Sequence, residues 1–274
     1  MKVLLFITCF ITGLTFKSNA QEGNGEKNFA LGLTGGTGSM IVRDKVFTTF
    51  LYKANIAPLG IHFESKKATQ KASFNLEFWN NPKFKTDINQ GFEYKGELGD
   101  FYSREKDGYD ISSLKSKLWN INYTQLFLVN NEKSKVKIFT GFDLTLLRFE
   151  KSFLQFEYIS KLTDRIYSLG WSSNLELNLG TRHQFSYNLS IPIISQVKRS
   201  LYNSESQPGT VSQSRFTTLF GASQGLDSRI NYRFMLSEKF SVRATYGFRY
   251  LQVTFPSKEQ WAYNQGTLGL FFHF

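Results

Sequence analysis

Thr267-Leu-Gly-Leu-Phe-Phe-His-Phe274 closes the chain, and this stretch decides the fold. Leu268, Leu270, Phe272 and Phe274 recur at every second position, which places them on one face of a β-strand. A strand that closes a lipid-facing barrel needs such a row, because its backbone pairs with a neighbour while its outer face meets hydrocarbon. The stretch therefore predicts a transmembrane strand.

The same residues carry a second pattern, Thr267-x-Gly269-x-x-Phe272-x-Phe274. This order of a polar residue, a glycine and two alternate aromatics resembles the C-terminal insertion signal of Gram-negative outer-membrane β-barrel proteins. The resemblance implies an outer-membrane location and insertion by the barrel-assembly machinery through the last strand. It also implies contact with outer-membrane lipids and lipopolysaccharide. The motif does not indicate a subfamily.

The N-terminus predicts an exported protein. Lys2 precedes an apolar run that ends at Phe16, and Ser18-Asn19-Ala20 offers small residues at the two positions that a signal peptidase inspects. A membrane helix needs roughly 18 or more apolar residues, and this run is shorter. The predicted organisation is a signal peptide at 1–20 cleaved before Gln21, a short segment at 21–28, and one barrel at 29–274. The single cysteine, Cys9, lies in the leader, so the mature chain has no disulfide.

The charge of the chain favours a membrane surface over nucleic acid. The formal net charge is +11, and about two of these units leave with the leader lysines. The basic residues are dispersed and form no run, so nucleic-acid binding is not indicated. Attraction to the phosphates of an anionic outer leaflet is the expected consequence.

Segments of about ten residues with alternating apolar side chains recur along the chain, which is the length that a tilted strand needs to cross a bilayer. They predict an all-β fold, a transmembrane antiparallel up-and-down barrel of about ten strands. The parity changes at Ala57-Pro58, which favours a bulge within one strand; a turn there would change the count, so 8, 10 and 12 strands stay open. The apolar markers of the ten segments span Phe29–Leu33, Phe50–Phe63, Ala72–Phe78, Trp119–Phe127, Val136–Leu146, Leu169–Leu179, Phe185–Ile193, Ile230–Leu236, Val242–Tyr250 and Leu268–Phe274.

The connections alternate in length, as short periplasmic turns and long extracellular loops do. The short ones are Ser65–Gln70, Asn130–Ser134, Gly180–Arg182 and Ser237–Lys239, and the long ones are Gly35–Val46, Asn80–Ser113, Glu150–Ile166, Gln196–Thr218 and Thr254–Ala262. The tryptophans Trp79, Trp119, Trp171 and Trp261 then stand at the loop ends of strands, which predicts an aromatic girdle at the membrane interface. A soluble β-sandwich shows similar alternation but explains neither the loop asymmetry nor the C-terminal motif.

The positions between the apolar ones should face the lumen, and many are charged. A barrel of about ten strands is narrow, so these side chains are expected to fill it as paired carboxylates and guanidiniums. A narrow path for a small solute, with Arg243 and Arg249 as its selectivity elements, is the alternative. The predicted lumen charge network comprises Glu64, Glu77, Asp143, Glu176, Arg229, Arg233, Arg243 and Arg249.

No catalytic, cofactor-binding or metal-binding constellation is indicated, so the chain is not expected to be an enzyme. Omptin-type proteases share the strand count, but the Asp-x-His couple that such a resemblance would require is absent. His62-x-Glu64 is the best acid–histidine dyad, and a satisfied interior hydrogen bond explains it better than general-base chemistry. The glycine-rich stretch Gly32–Gly38 is expected to be a flexible loop.

Recognition would reside in the loops. The stretch Asn80–Ser113 mixes charges of both signs with aromatics, which indicates either contact with an extracellular protein or glycan or packing over the barrel mouth. The stretch Gln196–Thr218 is expected to be mobile. The sequence therefore predicts a structural or surface-binding barrel, with a narrow solute channel as the alternative and a membrane-embedded hydrolase as the third hypothesis.

Overall fold

The computed structural model of the protein describes residues 28–44, 51–86, 114–153, 162–203, 209–218, 221, 223–255 and 258–274. The predicted signal peptide and most of the aromatic loop Asn80–Ser113 lie outside these residues. No helix in the described part is long and apolar enough to cross a membrane.

Twelve antiparallel strands make up the described part of the chain. The alternating apolar residues determine the strands, because side chains at every second position lie on one face only when the backbone is extended. The strands are β1 (Asn28–Asp44), β2 (Tyr52–Ile56), β3 (Leu59–Lys66), β4 (Gln70–Thr86), β5 (Leu114–Leu128), β6 (Val136–Phe153), β7 (Leu162–Leu179), β8 (His183–Asn203), β9 (Gly209–Thr218), β10 (Ser223–Met235), β11 (Phe240–Val253) and β12 (Glu259–His273).

The first and last strands close the sheet into a barrel. β1 pairs with β12 from Ala30 opposite His273 to Asp44 opposite Glu259, and β10 pairs with both β8 and β11. β2 and β3 succeed one another along β1 and occupy one position in the wall, and β9 and β10 do the same along β8. The result is a closed barrel with ten strand positions, which confirms the predicted fold.

The break between β2 and β3 coincides with Ala57-Pro58, where the sequence predicts a bulge. Proline cannot donate to the ladder, so the pairing with β1 stops at Ile56 and resumes at Leu59. The Pro58 carbonyl still accepts a 3.1 Å hydrogen bond from the Gly36 amide. The chain therefore continues down the same wall position toward the periplasmic end, and the interpretation as a turn is excluded.

Several strands are longer than predicted. The stretch Gly32–Gly38 lies inside β1, so its prediction as a flexible loop is wrong. The stretch Gln196–Thr218 is also mostly paired, because the upper part of β8 and all of β9 form a hairpin from Ile194 opposite Thr218 to Asn203 opposite Gly209. The four short connections lie where they were predicted.

Close approach of the β12 backbone explains two glycines of this stretch, Gly36 and Gly38. A Cβ atom at Gly36 would lie 2.1 Å from the Gly266 carbonyl oxygen, and one at Gly38 would lie 2.1 Å from the Asn264 carbonyl oxygen. Both distances are far below van der Waals contact, so only glycine allows the two backbones to pair at this seam.

The apolar rows change sides part of the way up the wall. In the lower part of β6, Phe142 and Leu144 face outward, whereas in its upper part Leu147 and Phe149 are buried inside and Arg148 faces outward. The lower part thus meets lipid outside and encloses polar groups, and the upper part encloses apolar groups and presents polar ones. The wall therefore continues above the membrane as a segment patterned like a water-soluble barrel.

Candidate functional site in the barrel interior

A cavity of about 590 Å³ occupies the lower, periplasmic half of the lumen. Its lining extends from the periplasmic turn at Gly180–Arg182 up to Trp261. Inward-facing polar residues of the lower strands supply most of this surface, because the outward positions of the same strands are taken by the lipid-facing rows. All eight residues of the predicted lumen charge network line the cavity: Glu64, Glu77, Asp143, Glu176, Arg229, Arg233, Arg243 and Arg249.

The lower arginine cluster is built on one carboxylate. Glu64 accepts hydrogen bonds from Arg233 through Oε2 and from Arg243 through Oε1. The two guanidiniums also lie over the buried ring of Phe271, at 5.2 and 4.0 Å from its centre. Each arginine is therefore held on two sides, although the Nε atoms of both remain buried without a hydrogen-bond partner among the described residues.

A second cluster lies higher in the lumen around Asp227. Arg229 binds this carboxylate with two parallel hydrogen bonds, of 2.9 Å from Nε to Oδ1 and 2.7 Å to Oδ2. Arg249 donates to Oδ2 through both Nε, at 2.7 Å, and Nη2. Paired guanidiniums of this kind are the strong form of charge-assisted hydrogen bonding. Asp227 is thereby fully engaged.

Glu176 organises a third cluster on the other side of the cavity. Its carboxylate accepts from both Lys66 and Lys71. Lys71 also donates to Asn174 Oδ1 at 2.8 Å and lies 4.5 Å from the centre of the Phe139 ring. The two lysines stand near the periplasmic end of β3 and β4, and nothing in the local sequence marks them as partners of a residue more than a hundred positions away.

Glu77 and Asp143 differ from the other carboxylates because neither is ion-paired at short range in the described part of the chain. Glu77 is 7% exposed and its Oε1 has no hydrogen-bond partner there. Asp143 is 4% exposed, and Thr145 donates to its Oδ2 at 3.1 Å while Oδ1 has no partner. The Oε1 atom of Gln265 is likewise buried and unpartnered there.

A plug of apolar side chains fills the lumen above the cavity. Trp261 lies between Phe149 and Tyr263, with ring centres 6.4 and 5.9 Å apart, and Trp79 meets Tyr263 edge to face at 5.1 Å. The apolar plug comprises Met40, Val42, Tyr52, Ala54, Ile56, Trp79, Leu118, Leu147, Phe149, Leu162, Ile166, Val197, Leu251, Val253, Trp261 and Tyr263. This buried cluster separates the cavity from the extracellular rim.

Four charged residues form a buried ion quartet near the rim, and the sequence analysis missed them. Lys151 contacts Asp164 at 2.6 Å and Glu259 at 2.7 Å, and Arg199 contacts the same carboxylates at 3.3 and 3.0 Å. All four side chains are at most 3% exposed. They lie on four different strands, within stretches predicted as loops. The one signal that could have identified them is their spacing, because they alternate along their strands in step with the inward-facing residues of the apolar plug.

The tryptophans do not form a single girdle. Trp119 and Trp171 are 44% and 39% exposed on the outer face, where an interface aromatic should lie. Trp79 and Trp261 are 2% and 3% exposed and belong to the apolar plug, so their prediction as interface aromatics is wrong. The reason is parity, because both occupy inward positions on strands whose outward rows are Phe78 and Leu268.

His62 and Glu64, the best acid–histidine dyad in the sequence, bond to other residues and not to each other. His62 lies 3.0 Å from Thr34 Oγ1 through Nε2 and hydrogen-bonds Asn75 through Nδ1, whereas Glu64 is taken by the two arginines. In the described residues, no group of three or more His, Cys, Asp or Glu side chains is arranged to hold a metal ion. The interior of the barrel therefore shows hydrogen-bonded and ion-paired groups rather than an acid–histidine couple.

The residues of the C-terminal motif lie on both faces of β12. Phe272 and Phe274 face outward and stack on one another, and Phe274 also stacks on Phe29 of β1 at 5.9 Å. Thr267 and Gly269 face inward, and a Cβ atom at Gly269 would lie 2.5 Å from the Thr34 side chain. The motif therefore lies at the seam that closes the barrel.

A row of basic residues runs across the outer wall directly above the lipid-facing belt. Arg148 lies opposite Arg165, which lies opposite Lys198 on the next strand. Trp119, at the upper edge of the belt, lies opposite Arg148 from the other side. Like charges directly opposite each other are destabilising, and among the described residues only Arg148 of this row has an ion-pair partner, Glu150. This row is suited to an anion.

Comparison with known proteins establishes the fold and nothing finer. No protein-family profile and no curated protein matches the chain. Among solved structures, the outer-membrane protease OmpT of Escherichia coli aligns with a TM-score of 0.51 and 9% identity over 94% of this chain and 100% of that one. The translocator domain of the autotransporter NalP of Neisseria meningitidis gives 0.45 at 9% identity over 98% and 96%. The chain has the fold of outer-membrane β-barrel proteins.

Proposed function

We propose that the protein is a non-conducting outer-membrane barrel with a structural or surface-binding role, exposed to the cell exterior by a wall that extends above the membrane. The observation that carries this proposal is the blocked upper lumen, where the apolar plug and the ion quartet fill the bore while the outer face is polar. Export through a signal peptide cleaved before Gln21 is part of the proposal. The fold is shared with a protease, but His62 is bonded to Thr34 and Asn75 and does not form a couple with a carboxylate.

Conductance tests the blocked lumen. The refolded mature chain in a planar bilayer is expected to give no steady ion current. A variant that removes two rings of the plug, Phe149→Ala with Trp261→Ala, is expected to conduct. The matched control is Phe240→Ala, which removes a ring of similar size from the lipid-facing side. Steady current through the unmodified protein would overturn the proposal and support the alternative, a narrow solute channel, which the charge-lined cavity favours.

Labelling on intact cells tests the surface role. The mature chain has no cysteine of its own, so single cysteines report position directly. A cysteine at Ser204, in the connection between β8 and β9, is expected to react with a membrane-impermeant maleimide on intact cells. One at Lys133, in the short turn before β6, is expected to react only after the outer membrane is opened. The reverse pattern would contradict the proposed orientation.

Lipopolysaccharide is the partner that we propose for the basic row. Its phosphates would lie against Arg148, Arg165 and Lys198 while its acyl chains cover the belt below, and both interactions follow from charge and apolar area. The double variant Arg165→Glu with Lys198→Glu is expected to retain less lipopolysaccharide on purification than the wild type. Lys133→Glu, an exposed change of the same sign at the periplasmic end, serves as the control. Equal retention by both variants would refute the assignment.

Two further partners are proposed. The barrel-assembly machinery would act on the seam at Phe272 and Phe274, as the C-terminal motif implies. An extracellular protein or glycan would contact the loops, whose aromatic residues in the stretch Asn80–Ser113 support such binding. Pull-down of soluble extracellular proteins or a glycan array with the refolded barrel tests the second of these.

A further inference from the structure

The lower cavity has the size of a ligand site. Its volume of about 590 Å³ falls in the range of small-molecule pockets, which span roughly 300 to 1,000 Å³. Because its lining reaches the periplasmic turn at Gly180–Arg182 and the apolar plug lies above it, a solute would enter from the periplasmic side. Binding there needs no open path through the barrel, so the inference is independent of the proposed surface role.

The upper part of the cavity carries three buried acceptor atoms that have no donor among the described residues. Glu77, Asp143 and Gln265 all line it and are all more than nine-tenths buried, and Glu77 Oε1, Asp143 Oδ1 and Gln265 Oε1 have no donor among the described residues. A buried acceptor without a donor costs free energy, and more so when it is a carboxylate. These three oxygens are therefore suited to a ligand group that carries several N–H donors.

The lower part of the cavity has the opposite character. The Nε–H groups of Arg233 and Arg243 are buried without an acceptor in the described part of the chain, although Glu64 is bound to both guanidiniums. The cluster of one carboxylate and two arginines carries a net positive charge. Unused donors and positive charge together are suited to a carboxylate on the ligand.

The two regions line one and the same cavity. Arg229 also lines this cavity, four residues along β10 from Arg233 of the lower cluster. A simple cation would be repelled by the arginines at the lower end, and a simple anion by Glu77 and Asp143. A metal ion has no suitable ligand group among the described residues. A molecule with an ammonium at one end and a carboxylate at the other satisfies both regions.

We propose that the cavity binds a small zwitterion of about dipeptide size, with its ammonium group against Glu77 and Asp143 and its carboxylate against Arg233 and Arg243. The upper acceptors lie deepest, so the amino terminus enters first. The ligand fits without displacing the apolar plug.

Calorimetric titration of the refolded full-length mature barrel in detergent tests the proposal, with alanyl-alanine as the probe. Saturable binding of alanyl-alanine is expected. N-acetyl-alanyl-alanine and alanyl-alanine amide, which each lose one charge, are expected to bind about 10- to 100-fold more weakly, the loss that one charge-assisted hydrogen-bonded group represents. No binding of alanyl-alanine, or equal binding of the blocked dipeptides or of sucrose, would show a water-filled or unselective cavity and overturn the proposal.

Variants locate each end of the ligand. Glu77→Gln with Asp143→Asn keeps the side-chain shapes and is expected to weaken alanyl-alanine binding by a similar factor without further weakening N-acetyl-alanyl-alanine, whose ammonium is already lost. Glu132→Gln, an exposed change in the turn before β6, is expected to match the wild type. If the double variant does not fold, the titrations of the two blocked dipeptides into the wild-type protein still test whether both charged ends of the ligand are bound. A variant that weakens both dipeptides equally would contradict the assigned orientation.

Discussion

The ion quartet makes a sharp prediction, because its four members are charge-balanced and almost fully buried. Within the quartet, Lys151→Met leaves Asp164 and Glu259 with the Arg199 guanidinium, so its four side chains then carry a net negative charge in the interior. Removing one partner of a buried ion pair costs about 3–5 kcal/mol, mostly through the charge left behind. Asp164→Asn leaves the opposite excess and is expected to cost a similar amount.

The double variant separates charge balance from lost contacts. Lys151→Met with Asp164→Asn retains Arg199 and Glu259, whose 3.0 Å pair is neutral overall. Its loss of free energy of unfolding should therefore be no larger than that of either single variant, so the coupling energy is about 3 kcal/mol or more. Urea unfolding in detergent micelles, followed by tryptophan fluorescence, measures all three. Arg148→Met breaks a partly exposed pair with Glu150 and should cost less than about 1 kcal/mol.

Two results would refute this reasoning. One is a cost below about 1 kcal/mol for Lys151→Met, which would mean that water reaches the quartet and screens its charges. The other is additivity of the two single variants, which would mean that Lys151 and Asp164 do not share one electrostatic network.

Three further predictions follow from the seam and the lower lumen. Gly36→Ala would place a Cβ 2.1 Å from a β12 carbonyl and should lower the free energy of unfolding in urea by about 1–3 kcal/mol, whereas Gly266→Ala, with nothing within 4 Å, should change it by less than about 0.5 kcal/mol. Glu64→Gln leaves two guanidiniums without their carboxylate and should cost about 3–5 kcal/mol in the same assay; a cost near zero would show that the cluster is hydrated. Phe274→Ala removes the stacking on Phe29 and should lower the fraction of heat-modifiable, folded protein in the outer membrane, and an unchanged fraction would contradict the role assigned to the last strand.

The lower wall could be predicted from sequence because each strand there carries one apolar row with a constant parity. Ile230 to Leu236 and Val242 to Tyr250 show this directly, and the structure places both in the wall as β10 and β11. The proline at position 58 could also be interpreted from sequence. It has no backbone N–H, so it must lie where the hydrogen-bond ladder between two strands is interrupted. These features are local, so a single sequence contains them.

The upper wall could not be predicted in the same way because the parity inverts where the strand leaves lipid. On β6 the outward row ends at Leu146 and the inward row begins at the adjacent Leu147, so a search for one continuous row stops there and assigns the remainder to a loop. The prediction of a loop at the glycines of β1 fails for a different reason. Their requirement comes from the backbone of β12, more than two hundred residues away in the chain, and glycine alone suggests a turn.

The same inversion explains why the two sets of interior charges behave differently. In the lower lumen the outer face meets lipid, so the polar side chains turn inward, and they line a cavity of about 590 Å³ that can hold solvent or a solute. In the upper lumen the outer face is polar, so the interior can be dry, and a charge persists there only if it is fully compensated. Leu147, Ile166, Leu251 and Trp261 belong to both the cavity lining and the apolar plug, and they form the boundary between the two regimes. Any passage of solute through the barrel must displace this boundary, whereas binding from the periplasmic side leaves it in place.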